Sequence, residues 1–282
     1  MKIEPQFQNQ HRIPQVYLKQ FGYSKDKEHW VSVLEIGTKL TENKLIVEFT
    51  AETNIFDLPV DDDEIKRHFE NLSGYVENFY RTVISNLINQ KKLTDKNKDV
   101  LNHFVANILC RTHTFRNLIS DLLNDPVTRD DLIDEVTMFS GDGDSNRKVL
   151  EHFEKDFELN IFIGTVMNHL VSVFRKFNKV VIRDYQNHGW ITTDNPVFID
   201  RQENFRWLVP IEAEIYFPLS KDFCLFMFHP DSDKNANPLR SRRIEKVNTV
   251  NFETFDRISM QLGRNFYKYL ILCGETSPTI IE

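Results

Sequence analysis

The stretch that decides the fold is LNHFVANILCRTHTFRNLISDL, residues 101–122. At 100° per residue, Leu101, Phe104, Ile108, Phe115, Leu118 and Leu122 fall on one side, which predicts an amphipathic helix. Arg111 falls near the centre of that stripe. His113 falls on the opposite, polar face, where water would reach it. An arginine cannot shed its proton, and burying it unpaired is costly. The spacing therefore predicts that Arg111 snorkels outward, meets a carboxylate, or holds an anionic ligand.

Upstream, Ile65, Phe69, Leu72, Val76, Phe79 and Val83 mark one face of a preceding helix. Glu77 flanks that face, within reach of Arg81 at i,i+4 or of Arg111 across the helix pair. The acidic run Asp61–Glu64 suits a helix N-terminus. Downstream, Asp125-Pro126 interrupts, a short helix is expected around Asp130–Met138, and a long one from about Asn146 to Lys176. Between them Gly141–Asn146 starts like a calcium loop. Its sixth and twelfth positions, counted from Asp142, are Arg147 and Phe153 instead of Gly and Glu, so a plain loop is expected.

Both ends of the chain are β-prone. Trp30–Ile36 and Leu45–Phe49 read as antiparallel strands around a loop at Gly37–Asn43. Trp190–Thr193, Glu214–Phe217, Phe223–Phe228 and Tyr267–Cys273 read as further strands. Asp194-Asn195-Pro196 reads as a turn, because the residue before proline is pushed out of the helical region. Arg243 to about Leu262 has helical spacing, with Asn251 on the apolar face. This order predicts an α+β fold, with a central helical block (about 62–180) packed against a β-rich part formed from both chain ends (about 1–60 and 181–282). A single integrated domain over residues 1–282 is expected.

Composition narrows the class. With 40% hydrophobic and 27% charged residues, the chain is neither disordered nor fibrous. A formal net charge of −7 argues against indiscriminate nucleic-acid binding but leaves room for a local basic groove. No apolar run approaches the roughly 18 residues of a membrane span, and MKIEPQFQNQ has no secretory apolar stretch. Three cysteines, Cys110, Cys224 and Cys273, lie in apolar surroundings and read as reduced thiols of a cytoplasmic protein.

Common catalytic signatures are absent: no phosphate-binding P-loop, no G-x-G-x-x-G, no G-x-S-x-G and no H-E-x-x-H. Arg147…His152 and Arg183…His188 match a helical ribonuclease spacing, about as often as chance allows. The segment His11-Arg12-Ile13-Pro14-Gln15-Val16-Tyr17-Leu18-Lys19-Gln20-Phe21 is more telling. Tyr17, Leu18 and Phe21 make an apolar helical face after a proline suited to a first turn. His11 stands at its mouth, a position suited to proton transfer or anion contact.

Read in order, H-x-x-P-x-x-Y-L-x-x-F at His11–Phe21, Glu77, Arg111-Thr112 with Arg116, W-I-T-T-D-N-P-V at Trp190–Val197, F-P-L-S at Phe217–Ser220 and Asn251 span nearly the whole chain. Together they resemble the domain-of-unknown-function 4238 family of prokaryotes. Many of its members carry Thr-Ser-Asp-Asn-Pro where this chain has Thr192-Thr193-Asp194-Asn195-Pro196, a change that keeps the hydroxyl. The resemblance implies no reaction; it implies a polar site at His11, Glu77, Arg111, Asp194 and Asn195.

Those five are the candidate catalytic residues, with Tyr17, Thr193 and Arg116 as candidate substrate contacts. A histidine to carry protons and an arginine to hold a developing anion suit phosphodiester chemistry. A divalent metal, if used, would sit on Glu77 and Asp194. The leading expectation is a nuclease-type or other phosphoester-directed enzyme, acting as a toxin-like or anti-phage defence effector. The alternatives are a non-catalytic sensor that captures an anionic ligand through Arg111, and a structural partner subunit. Nucleic acid or a nucleotide is the expected partner, a partner protein or second copy is left open, and no membrane is expected. Two geometric expectations follow: His11 and Asp194 share one concavity, and Arg111 pairs with Glu77 first and Asp194 second.

Overall fold

The computed structural model describes residues 8–151, 155–200, 208–233, 236–244 and 246–277, without the side chains of 155–157. The helical block is built on α3 (His68–Gln90), α4 (Asp95–Arg111) and α8 (Lys155–Arg175). Phe69, Val76, Tyr80, Val83 and Leu87 of α3 meet Leu101, Phe104, Val105 and Ile108 of α4 in one core. Tyr80 stacks on Phe104 with ring centroids 3.8 Å apart. Ile65 does not join them: it is exposed on the one-turn α2 (Asp63–Lys66). The acidic run caps that turn, Asp62 accepting from the amides of Glu64 and Ile65.

Residues 101–122 are two helices, not one. After α4 the chain breaks at Thr112, which is extended (φ −68°, ψ 147°), and α5 (His113–Asn124) begins. The Thr112 hydroxyl accepts from the amide of Phe115, a side-chain cap that competes with helix continuation. The stripe therefore holds within each half but its phase does not run through. His113 consequently faces Glu52 and Tyr267 instead of open solvent. Beyond α6 (Pro126–Thr137) the expected long helix is α7 (Gly143–Glu151) and α8; residues 152–154, His152 among them, lie outside the described residues.

Two larger sheets flank this block. The first has the order β11 (Val247–Val250), β6 (Asn178–Asp184), β10 (Cys224–Phe228), β9 (Glu214–Pro218), β8 (Phe198–Asp200). All its pairings are antiparallel except β11 with β6. Strands β9 and β10 are buried along their whole length. Alternation splits them: Ile215, Phe217, Leu225 and Met227 join the helical core, while Tyr216, Cys224, Phe226 and Phe228 join a second core with α9 (Phe252–Arg264). The helix expected over Arg243–Leu262 is thus a strand followed by a helix. Asn251 lies between them as the cap of α9, accepting from the amide of Thr254 at 3.1 Å.

The second sheet joins the chain ends: β2 (Tyr23–Lys25), β3 (Glu28–Glu35), β12 (Tyr269–Leu272) and β7 (Thr192–Thr193), with β4 (Leu40–Leu45) also paired to β3. The β3–β4 turn covers residues 36–39, with Lys39 left-handed at φ 55°, so the strand expected at Leu45–Phe49 lies earlier. Its sequence Leu-Thr-Glu-Asn-Lys-Leu is largely polar, which hid it. Finally β1 (Asn9–His11) pairs with β5 (Ala51–Thr53), and the one-turn α1 (Gln15–Leu18) follows β1 and packs on α3.

Candidate functional site

Residues Glu70, Gly74, Glu77, Asn78 and Arg81 of α3 fall at i, i+4, i+7, i+8 and i+11, within an arc of about 100°. This polar stripe lies across from His11, Gln15 and Lys19, and Arg111 comes up beneath it. Together they line a cavity of about 450 Å³. The apolar face of α3 is committed to the core, so the polar face is left to line the cavity.

Arg111, only 1% exposed, holds the site together. Its Nε donates to the carbonyl oxygen of His11 at 2.7 Å, and Nη2 donates to the same oxygen. Nη2 also lies 2.9 Å from Oε1 of Glu70, and Nη1 lies 3.5 Å from Oε1 of Glu77. These carboxylate contacts are charge contacts, not aligned hydrogen bonds; Nη1 itself has no hydrogen-bond partner. The Phe56 ring lies 4.9 Å from the guanidinium carbon. The pairing with Glu77 is as expected. Glu70 was missed, although its seven-residue spacing from Glu77 puts it on the same face. Asp194 is not a partner of Arg111. Since Arg111 is sealed from solvent between two carboxylates, it positions His11 and the glutamates and does not grasp a ligand itself.

The titrating groups are shifted in opposite directions. Nε2 of His11 lies 3.0 Å from the carbonyl oxygen of Val47 and 3.3 Å from the Gln15 side-chain nitrogen; the carbonyl only accepts, so the tautomer that satisfies this shorter contact carries its proton on Nε2 and its lone pair on Nδ1. Burial holds His11 below the ordinary imidazole value, and the Arg111 charge adds to this against the Val47 bond. Burial raises the carboxyls of Glu70 and Glu77 from the ordinary carboxylate value, and the Arg111 charge opposes it. Glu77 lies farther from the guanidinium, so it is the member of the pair that protonates more readily. At the rim, Lys19 and Arg81 form no ion pair among the described residues. Of the two partners open to Glu77, Arg81 and Arg111, it meets Arg111.

The Thr-Asp-Asn cluster lies elsewhere and is spent on architecture. Oδ1 of Asp194 accepts from the amide of Tyr267 at 2.8 Å; Oδ2 accepts from those of Lys268 and Tyr269 at 2.8 and 3.1 Å. Thr193 donates its hydroxyl to the carbonyl of Asn265, and Asn195 donates to the Asn265 side chain at 2.9 Å. Asn265 in turn donates to the carbonyls of Asn195 and Val197. The motif is a clasp that ties β7 to the junction of α9 and β12. Burial raises the Asp194 carboxyl, against these three amides.

Asp194 borders a second cavity of about 800 Å³, lined by Arg12, Trp30, Lys44, Glu52, His113 and Tyr267 among others. His11 borders only the first, so the expected shared concavity of His11 and Asp194 is not found; residues 11 and 12 point to opposite sides. The cations of the larger cavity are spoken for: Arg12 by Glu52, Lys44 by Glu42 and Lys268 by Glu35. Size alone thus does not single out the candidate site. Nor do Glu77 and Asp194 fit a shared metal, since they line different cavities and both oxygens of Asp194 are engaged. Among the described residues, no three His, Cys, Asp or Glu side chains come together as a ligand set.

The expected substrate contacts are interior. Tyr17 is fully buried, stacked on Phe217, with its hydroxyl 2.6 Å from that of Thr192. Thr193 is buried in the clasp. Arg116 is buried against Phe56, donates to Asn160, and is lowered to about 10 by desolvation. Arg183 lies on β6 and His188 in the following loop, where it contacts Asp184 at 2.8 Å, so that pair does not form the helical ribonuclease arrangement. Burial raises the thiols of Cys110 and Cys224, and that of Cys273 to about 11, which leaves them poor nucleophiles near neutrality. No helix among the described residues is long and apolar enough to cross a membrane.

No curated protein and no solved structure matches the chain. The family model described as "Protein of unknown function (DUF4238)" matches residues 9–261, a span that takes in His11, the α3 stripe, Arg111 and the Thr192–Pro196 clasp. The chain belongs to that family.

Proposed function

We propose that the chain is a phosphoester-directed hydrolase of nuclease type, with its reactive centre in the cavity between His11 and the α3 stripe. The observation that carries this reading is a juxtaposition: an imidazole lowered by burial and a carboxyl raised by burial line one polar cavity beside two cations without ion-pair partners among the described residues. Lowering the imidazole and raising the carboxyl draws their proton affinities toward each other, so a proton passes between the two groups at little cost, as an acid–base pair requires. Lys19 and Arg81 supply unpaired positive charge where a phosphoryl group would lie.

In this mechanism Nδ1 of His11 takes a proton from water as its oxygen bonds to phosphorus. The ester P–O bond breaks, and the leaving oxygen takes the proton of the Glu77 carboxyl. Solvent then returns the proton from His11 to Glu77 and resets the pair. Glu70 stays ionised against Arg111, and Arg111 fixes the backbone of His11 through its carbonyl. A sensor that captures its anion on Arg111 is disfavoured, because that guanidinium is buried between carboxylates. The test is incubation of the purified protein with RNA, DNA and small phosphate esters, with and without divalent metal. Cleavage that survives chelation supports the reading; inertness toward every phosphoester refutes it.

A further inference from the structure

We infer that the ligand of this cavity is a sugar–phosphate unit, held by its phosphate and hydroxyls, with no nucleobase read out. The inference rests on the hydrolase reading for the phosphate; the remainder comes from the cavity walls. His11 apart, the lining has no aromatic ring, so a base would find no face to stack on. What the walls offer is hydrogen bonding: the amides of Gln15 and Asn78 and the carboxyls of Glu70 and Glu77 suit a ring of hydroxyls. Lys19 and Arg81 suit the phosphate. A space of about 450 Å³ is small-ligand sized.

Gly74 is the independent observation. It lies inside the 23-residue α3, where glycine is less stable than alanine because it loses more backbone freedom. Packing does not demand it, since a Cβ built there meets nothing within 4 Å. Gly22 is the contrast, where a Cβ would lie 2.2 Å from the carbonyl oxygen of Trp30. Between Glu70 and Glu77, any side chain at position 74 would enter the cavity. The bare backbone keeps that floor clear for a ligand.

The test measures binding, not turnover. Calorimetric titration of the full chain would compare ribose 5-phosphate with ribose, inorganic phosphate and the four common nucleoside 5′-monophosphates. Ribose 5-phosphate should bind about tenfold or more tighter than ribose or phosphate, and the four nucleotides should agree within about threefold. Gly74→Leu should weaken binding about tenfold or more while leaving the melting temperature unlowered. Short single strands with and without a 5′-phosphate tell a free sugar phosphate from a chain end. A strong preference among bases, a Gly74→Leu protein that binds normally, or no binding of ribose 5-phosphate would each overturn the inference. Binding as described with no cleavage of any ester would sink the hydrolase reading alone.

Discussion

The guanidinium of Arg111 and the carbonyl oxygen of His11, 100 residues apart in sequence, are joined by a 2.7 Å hydrogen bond from Nε. The buried guanidinium beneath the cavity therefore holds the backbone of the residue that presents the imidazole. The end of α4 and the end of β1 are locked to each other by that contact.

Removing the guanidinium leaves the ionised Glu70 without the buried charge it lies 2.9 Å from. Arg111→Met should destabilise the protein by about 3 kcal/mol, within the range for breaking a buried pair. Glu70→Gln in that background should recover part of the loss. Urea unfolding of the single and double variants measures this. Equal stabilities of Arg111→Met and the native protein would mean that the charges are solvated.

Asp194 predicts the opposite pattern. Its two oxygens bind three backbone amides of residues 267–269. Asp194→Asn replaces one acceptor by a donor aimed at an N–H, which should cost about 1–3 kcal/mol. Activity per folded molecule should stay at the native level. An Asp194→Asn protein of normal melting temperature but no activity would return Asp194 to the chemistry.

How much of this was legible in the sequence differs by element. The α+β order and the core positions of α3 and α4 follow from spacing, because buried faces leave a periodic trace. The burial of Arg111 and its pairing with Glu77 follow from the same arithmetic. The break at Thr112 does not, since one hydroxyl capping one amide leaves no period. Strand β4 is polar and half-exposed, and β11 is four residues long, so neither shows a clean alternation. Asp194 and Asn195 have the composition of a catalytic turn, but their partners at 265–269 are some 70 residues away. No local pattern encodes such a contact. Glu70 is periodic with Gly74, Glu77 and Arg81, but a polar stripe leaves the same trace in sequence as any solvated helix face, so spacing does not single it out.

The cap at Thr112 carries a prediction of its own. Thr112→Ala removes the hydroxyl that accepts from Phe115, which should cost about 1 kcal/mol. It also favours continuation of α4 into α5, which would swing Arg111 from His11. Loss of activity greater than the loss of folded protein at a fixed temperature is the expected sign, read by melting and turnover on one sample.

The raised Glu77 carboxyl has a signature in stability. Its folded value lies above the unfolded one, so its contribution is complete below about pH 4.3 and is lost as pH rises through the folded value. Glu77→Gln cannot ionise and has no such slope. Relative to the native protein it should gain stability between about pH 4 and pH 7, by urea midpoints. A variant that loses ground over that interval would show that the fold favours ionised Glu77, and the acid role would fall.

The most direct measurement is phosphoester hydrolysis by His11→Ala beside the native protein at about pH 6, near the ordinary imidazole value. Loss of the base should lower turnover by about a hundredfold or more, with the melting temperature nearly unchanged. Turnover by His11→Ala equal to that of the native protein would contradict the account, because the cavity between His11 and the α3 stripe would then not be the reactive centre.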